Sequence, residues 1–109
     1  NIERYYNICK NDNVNNLTEA QSINIYKKKL ENSIELRLRS DVKVGTCLSG
    51  GLDSSSLATI ASKKYNKTAK HKFTAIHAKS TEGDNDESKY AKDVEKFSNL
   101  NLHIIEPTN

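Results

Sequence analysis

Residues 48–55 read Leu48-Ser49-Gly50-Gly51-Leu52-Asp53-Ser54-Ser55, and this stretch limits what the chain can fold into more than any other. A short apolar run, Val42 to Leu48, leads into it, and a helix-like run, Ser56 to Tyr65, follows. The local reading is strand, glycine turn, helix. Two adjacent glycines let the backbone take positive φ and let a bulky ligand approach main-chain N–H groups. Ser54 and Ser55 offer hydroxyls, and the first helical turn offers orphan N–H donors and a partial positive charge. Together these parts make an anion site suited to phosphate.

Asp53 complicates a plain phosphate cradle, because a carboxylate repels an anion. A divalent cation removes the conflict. Mg²⁺ takes one or two carboxylates and fills its remaining positions with phosphate oxygens and water. The loop therefore reads as a site for a Mg-bound polyphosphate. It lacks the Gly-Lys-Ser/Thr ending of a Walker A loop, and it is not the dinucleotide G-x-G-x-x-G pattern.

The rest of the chain sets this loop in an alternating pattern. Residues 1–16 read as an arm or linker, with Ile2, Tyr5, Tyr6 and Ile8 as packing or docking residues and an asparagine-rich turn after them. Residues 17–109 read as the domain proper. Thr18 to Arg39 is expected to be a helix, opened by the capping box Thr18-x-x-Gln21 and carrying Ile23, Tyr26, Leu30, Ile34 and Leu38 as a packing stripe. Arg37 and Arg39 suit its C-terminal end; the alternative role is a contact to phosphate or an acidic substrate.

Val42 to Leu48 is the first expected strand, buried on both faces, with Cys47 as a small interior residue. Ser54 to Tyr65 follows as a helix that packs through Leu57, Ile60 and Ala61, with Ala58 allowing close approach to the sheet. The second strand is Lys72 to Ala78. Asp86 or Ser88 caps a third helix that ends near Ser98 and has Tyr90, Ala91, Val94 and Phe97 on its apolar face. Leu102 to Glu106 is the last strand, closed by Pro107. Strands alternating with helices imply βαβ units and an α/β fold with a parallel sheet. Ligands bind such sheets at the carboxyl ends of strands, where the glycine loop falls.

Composition narrows the classes. A chain of 109 residues holds one small domain, and 35% hydrophobic with 28% charged content is globular but lean. A net charge of +3 is too mild, and too poor in interleaved aromatics, to indicate nucleic acid. No apolar run reaches the ~18 residues that span a bilayer, and no signal peptide is visible. Cys9 and Cys47 do not form the framework of a secreted scaffold. His71, His77 and His103 lack zinc-ligand spacing and are not read as ligands. Asp84, Asp86 and Glu87 form an acidic cluster that capping and solvation explain; a nucleotide or metal-shell role is the alternative.

Ser-Gly-Gly-Leu-Asp-Ser-Ser after a strand resembles the pyrophosphate loop of the N-type ATP-pyrophosphatase superfamily. The lead-in Arg37 to Leu48 and the downstream Asp86-Glu87-Ser88-x-Tyr90-Ala91 narrow the resemblance to the glutamine-hydrolysing asparagine synthetases. It covers about Leu17 to Thr108. Lys43 departs from it, standing where that family commonly has proline. The resemblance implies a partial adenine nucleotide alpha hydrolase-like fold, three-layered, with a parallel sheet and helices on both faces. It implies ATP and Mg²⁺, with Leu48, Ser49, Gly50, Gly51, Leu52, Asp53, Ser54 and Ser55 around the nucleotide and Asp53 on the metal. The backbone near Ala75 would contact adenine, with a slip by one to Ile76 left open.

The implied chemistry is adenylation of the aspartate side chain, followed by attack of ammonia released from glutamine in a glutaminase domain of the same parent chain. The expectation is a piece of a longer cytoplasmic amidotransferase, inactive by itself, with a homo-oligomer compatible and no nucleic-acid or membrane partner. Sister enzymes that adenylate another acid, β-lactam or peptide-cyclising synthetases and tRNA-modifying enzymes among them, are the alternatives. So is a non-catalytic nucleotide-binding module.

Overall fold

A computed structural model describes residues 2–8, 16–80 and 86–106. Its elements are α1 (Glu19–Arg37), β1 (Gly45–Cys47), α2 (Leu52–Thr68), β2 (Thr74–Ala78), α3 (Ser88–Ser98) and β3 (Asn101–Ile105). Two compact units divide the chain, residues 1–30 and residues 31–109.

In the first unit, residues 2–8 have no regular structure and Ile2, Tyr5, Tyr6 and Ile8 are exposed. The capping box forms as its spacing predicts. Thr18 N–H donates to Gln21 Oε1 at 2.9 Å, and Gln21 N–H donates to Thr18 Oγ1 at 3.3 Å. Two donors that a helix start leaves orphaned are thereby satisfied. Of the stripe on α1, Ile23 and Tyr26 are exposed and Leu30 half-buried in this unit; Ile34, buried, and Leu38, half-buried, belong to the second unit.

The second unit is built on a parallel sheet in the order β1-β2-β3. Two right-handed crossovers advancing in one direction place both connecting helices on one face. The helices α2 and α3 accordingly touch. The Thr59 and Ser98 hydroxyls lie 2.8 Å apart, and Asn66 Nδ2 donates to the Asn99 carbonyl at 3.0 Å. Between these helices and the sheet lies a core of small side chains. Ala58, Ala75 and Ala91 have no exposed surface, and Phe73 and Leu48 are the largest residues fully enclosed. Alanines at the interface bring helix backbone close to sheet backbone, as expected for Ala58. Phe73 is fixed at both ends: its N–H donates to Asn66 Oδ1 at 2.8 Å, and its ring meets Tyr65 edge-on at 5.4 Å.

Register explains which side chains are covered. Thr46, Ala75 and Leu102 are paired neighbours facing the helices, as are His77 and Ile104. Their sequence neighbours Cys47, Ile76, Ala78, His103 and Ile105 point to the other face and are exposed. The α/β class and the parallel sheet are thus present, and the described residues supply the helical layer of one face. Several local expectations change, Leu57 of α2 among them at 43% exposure. Cys47 is exposed rather than interior, and Val42 is 74% exposed. The physical reason is that Cys47 points to the sheet face no described helix covers, as its neighbour Ile76 on the central strand β2 does, and that Val42 lies outside β1, which is only three residues long. On α3, Ala91 is buried and Val94 half-buried, while Tyr90 and Phe97 are exposed. Those two share a seven-residue spacing, which puts them on one side of the helix, away from the sheet.

Candidate functional site

The glycine loop leaves the carboxyl end of β1 and enters α2 directly. Leu48 is the last residue on the sheet: its N–H donates to the Ile76 carbonyl at 2.8 Å, and its side chain is buried. Two residues on, Gly50 has φ of 101°, a conformation that glycine tolerates and L-residues avoid. Space imposes the same choice. A Cβ at Gly50 would lie 2.9 Å from the Glu87 carbonyl oxygen and 3.2 Å from Tyr90 Cβ. The loop backbone therefore rests on the first turn of α3.

Gly51 is the N-cap of α2 and supplies no capping side chain. The first helical bond runs from Ser55 N–H to the Gly51 carbonyl at 3.1 Å. The N–H groups of Leu52, Asp53 and Ser54 precede it and are orphan donors. A capping serine or aspartate here would satisfy one of them; glycine leaves them to an outside acceptor.

Hydroxyls shape the loop from within. Ser49 and Ser54 Oγ are 2.8 Å apart, Ser54 Oγ also receives the Ser49 N–H at 3.2 Å, and Ser49 Oγ receives the Gly51 N–H at 3.2 Å. Ser55 Oγ differs. It is buried and has no hydrogen-bond partner, a costly state for a hydroxyl. Asp53 and Leu52 are exposed, and the Asp53 carboxylate makes no hydrogen bond or ion pair among the described residues. Open N–H groups, an unsatisfied serine and a free carboxylate in one turn fit a phosphate chain carrying a cation. Asp53 offers one ligand, and phosphate oxygens and water would supply the rest of a Mg²⁺ shell.

Ala75 stands apart from this turn. It is fully buried in the middle of β2, opposite Thr46, whereas Ile76 points to the open face and is 44% exposed. Arg37 and Arg39 also lie elsewhere. Arg37 Nη1 donates to Ser33 Oγ and to the Ser33 carbonyl on its own helix, the C-terminal arrangement that its position predicts. Arg39 lines a cavity of about 560 Å³ with Lys64, Lys67 and Thr68 of α2. Ser54 to Lys67 spans thirteen residues of helix, about 20 Å at 1.5 Å per residue, so that cavity is at the opposite end of α2 from the loop. Asp84 lies outside the described residues, as do Cys9 and Pro107.

His77 is the residue whose importance the sequence reading missed. It is buried at 3% exposure, with Nδ1 2.7 Å from the Leu48 carbonyl oxygen and Nε2 3.1 Å from Ser88 Oγ. Ser88 in turn is held by Asp86, whose Oδ1 accepts from both the Ser88 N–H, at 3.0 Å, and the Ser88 hydroxyl. Those two hydrogen bonds, the hydroxyl's first, hold the Asp86 carboxyl below the ordinary range. Of the two residues expected to cap α3, neither is the N-cap, which is Glu87 and makes no side-chain cap hydrogen bond; Asp86, one residue before it, accepts from the N–H of Ser88, the first helical residue. One clue was available: Phe73, Ala75 and His77 share strand parity, which puts His77 on the same buried face as two core residues.

A model of the asparagine synthase family matches residues 26–109. The chain is 36% identical over 77 residues to a Methanocaldococcus jannaschii protein that carries the provisional name asparagine synthetase (glutamine-hydrolysing) 2; the overlap is 71% of this chain and 14% of that relative. It is 35% identical over 90 residues to asparagine synthetase (glutamine-hydrolysing) 2 of Bacillus subtilis strain 168, an overlap of 83% of this chain and 11% of the relative. The chain thus spans a small part of the length of the curated relatives it matches.

Proposed function

This chain belongs to the asparagine synthase family, and from that premise we propose that its glycine loop holds the β,γ-phosphates of ATP in an amide-forming ligase. The observation that carries the proposal is the loop itself: a glycine-capped helix start at the carboxyl end of a parallel strand, with an unpaired carboxylate, Asp53, one residue into the helix. Orphan N–H groups of Leu52, Asp53 and Ser54, with the Ser55 hydroxyl, would hold the phosphate oxygens. Gly50 and Gly51 keep side chains out of their path. Mg²⁺ at Asp53 would neutralise phosphate charge and favour loss of pyrophosphate.

In this reading the β-carboxylate of aspartate attacks the α-phosphorus, the α–β phosphoanhydride bond breaks, and pyrophosphate leaves. Ammonia then attacks the acyl carbon, and asparagine, AMP and a proton are released. Glutamine hydrolysis elsewhere in the parent protein would supply the ammonia. Leu48 and the β2 backbone near Ala75 would border the adenosine. We assign the arm of residues 1–16 to the connection with that glutaminase part and the protein to the cytoplasm. Among the described residues no helix is long and apolar enough to cross a membrane.

The test is turnover by the full-length protein with Mg-ATP, ammonia or glutamine, and a panel of acids, reading AMP, pyrophosphate and amide. Aspartate-dependent AMP and pyrophosphate are expected, with at least a hundredfold loss in Asp53→Asn, on the order of one lost charge-stabilising group. Because Asp53 is exposed and unpaired, the same variant should change stability by no more than about 0.5 kcal/mol. ADP and phosphate as products would sink the reading. Residues 1–109 alone are expected to form no asparagine.

A further inference from the structure

The proposed nucleotide loop leaves the sheet at Leu48, whose carbonyl is held by a side chain. Leu48 is the hinge point: its N–H remains in the β1–β2 ladder, while its C=O accepts from His77. On the basis of the ATP-loop reading above, we infer that His77 is a positioning residue for the loop, setting the exit direction of the chain at Leu48 and, through Ser88, locking it to α3.

The chemistry of the contacts fixes the ring. A carbonyl oxygen only accepts, so the hydrogen is on Nδ1. Nε2 then faces Ser88 Oγ, and a flipped ring would set a carbon against each partner. Ser88 has one hydroxyl hydrogen: given to Nε2, it leaves Asp86 bonded to the Ser88 N–H alone; given to Asp86, it leaves Oγ to accept from a hydrogen on Nε2. Burial matters as well: at 3% exposure no water competes for either ring nitrogen. A second contact lies beside the first. Gly50 lies against the Glu87 carbonyl and Tyr90 Cβ, so the loop meets the start of α3 directly after Ser49 and through His77 before it. The loop, the end of β2 and the first turn of α3 therefore form one hydrogen-bonded and packed assembly, in which His77 is the side chain that bonds the Leu48 carbonyl.

Two substitutions separate the roles of the two ring nitrogens. An asparagine amide nitrogen falls close to the position of Nδ1, and a glutamine amide nitrogen close to that of Nε2. His77→Asn can therefore keep the donor to Leu48 and lose Ser88; His77→Gln keeps reach to Ser88 and loses Leu48. The full-length protein would be titrated with Mg²⁺ and α,β-methylene-ATP, which cannot release pyrophosphate, and KM for each substrate would be measured alongside. His77→Asn is expected to bind within about twofold of the parent, and His77→Gln about five- to tenfold more weakly, the loss of one buried hydrogen bond. KM for ATP should rise in His77→Gln while KM for the acid stays unchanged.

Ser88→Ala leaves the ring in place and guards against misfolding of the glutamine variant; it should weaken binding by about two- to threefold. Equal weakening by asparagine and glutamine, or no weakening by any of the three, would overturn the positioning role while leaving the ATP reading intact. If the unsubstituted protein binds no Mg-nucleotide, the ATP reading falls, and this inference with it.

Discussion

Gly50 and Asp53 sit three residues apart in one loop and make opposite demands on it. Gly50 is required by shape: its φ of 101° and the Glu87 carbonyl 2.9 Å from a would-be Cβ both exclude a side chain. Gly50→Ala should destabilise the fold by about 1–3 kcal/mol from backbone strain, with the contact to α3 adding to it; urea unfolding would read the loss. In the proposed nucleotide reading Asp53 acts through its charge, so its substitution should move that unfolding curve by no more than about 0.5 kcal/mol. The two variants thus separate architecture from chemistry within one turn. Residue by residue, the loop was the most legible part of the sequence, because glycine, serine and aspartate act there through local backbone properties that need no distant partner. His77 was not legible in that way. Its role depends on Leu48, twenty-nine positions earlier, and on Ser88, eleven later, and nothing in its own neighbourhood announces either partner.

Among the elements, α3 shows how a side chain at a helix start can serve more than its helix. Asp86 accepts two hydrogen bonds from Ser88, which lower its carboxyl pKa. A carboxyl depressed by folding adds stability above its unfolded pKa, and that stability is lost as pH falls through the lower, folded value. The gap in melting temperature between the parent and Asp86→Ala should therefore be full and constant above ~pH 5 and shrink as acid is added below it. A gap that stays the same at low pH would remove the charged carboxylate from the account. Element positions were predictable to within about three residues, since caps and apolar spacing are local. Faces were less so. Tyr90 and Phe97 satisfy helical periodicity and are exposed, because periodicity defines a stripe but not what lies opposite it. Lys64 and Glu35 pair at 2.9 Å across 29 residues; the ammonium of Lys64 holds the Glu35 carboxyl below its ordinary range. Exposed pairs of this kind contribute little to stability.

At the scale of the whole molecule, the order of strands and helices carried the parallel α/β class, because βαβ connectivity leaves few alternatives. Burial on both faces of β1 did not follow, since a strand's composition does not say whether a second layer covers its other face; Ile76 on the central strand is open there as well. In residues 31–109 one sheet face is closed over a small core and the other presents Cys47, Ile76 and Ile105 to solvent. The boundary between firm and open structure is sharpest at Leu48, and amide hydrogen exchange would map it. Leu48 N–H is bonded into the sheet beneath a buried side chain, so it should exchange only through large-scale opening. Four residues on, the amides of Leu52 and Asp53 have no helical acceptor and should exchange near the rate of a free peptide. A gradual slope across these positions would mean that the loop and sheet open together. A step of several decades would mean that the scaffold keeps time independently of its site, and that a bound phosphate chain could be recognised by the slowing of those few amides alone.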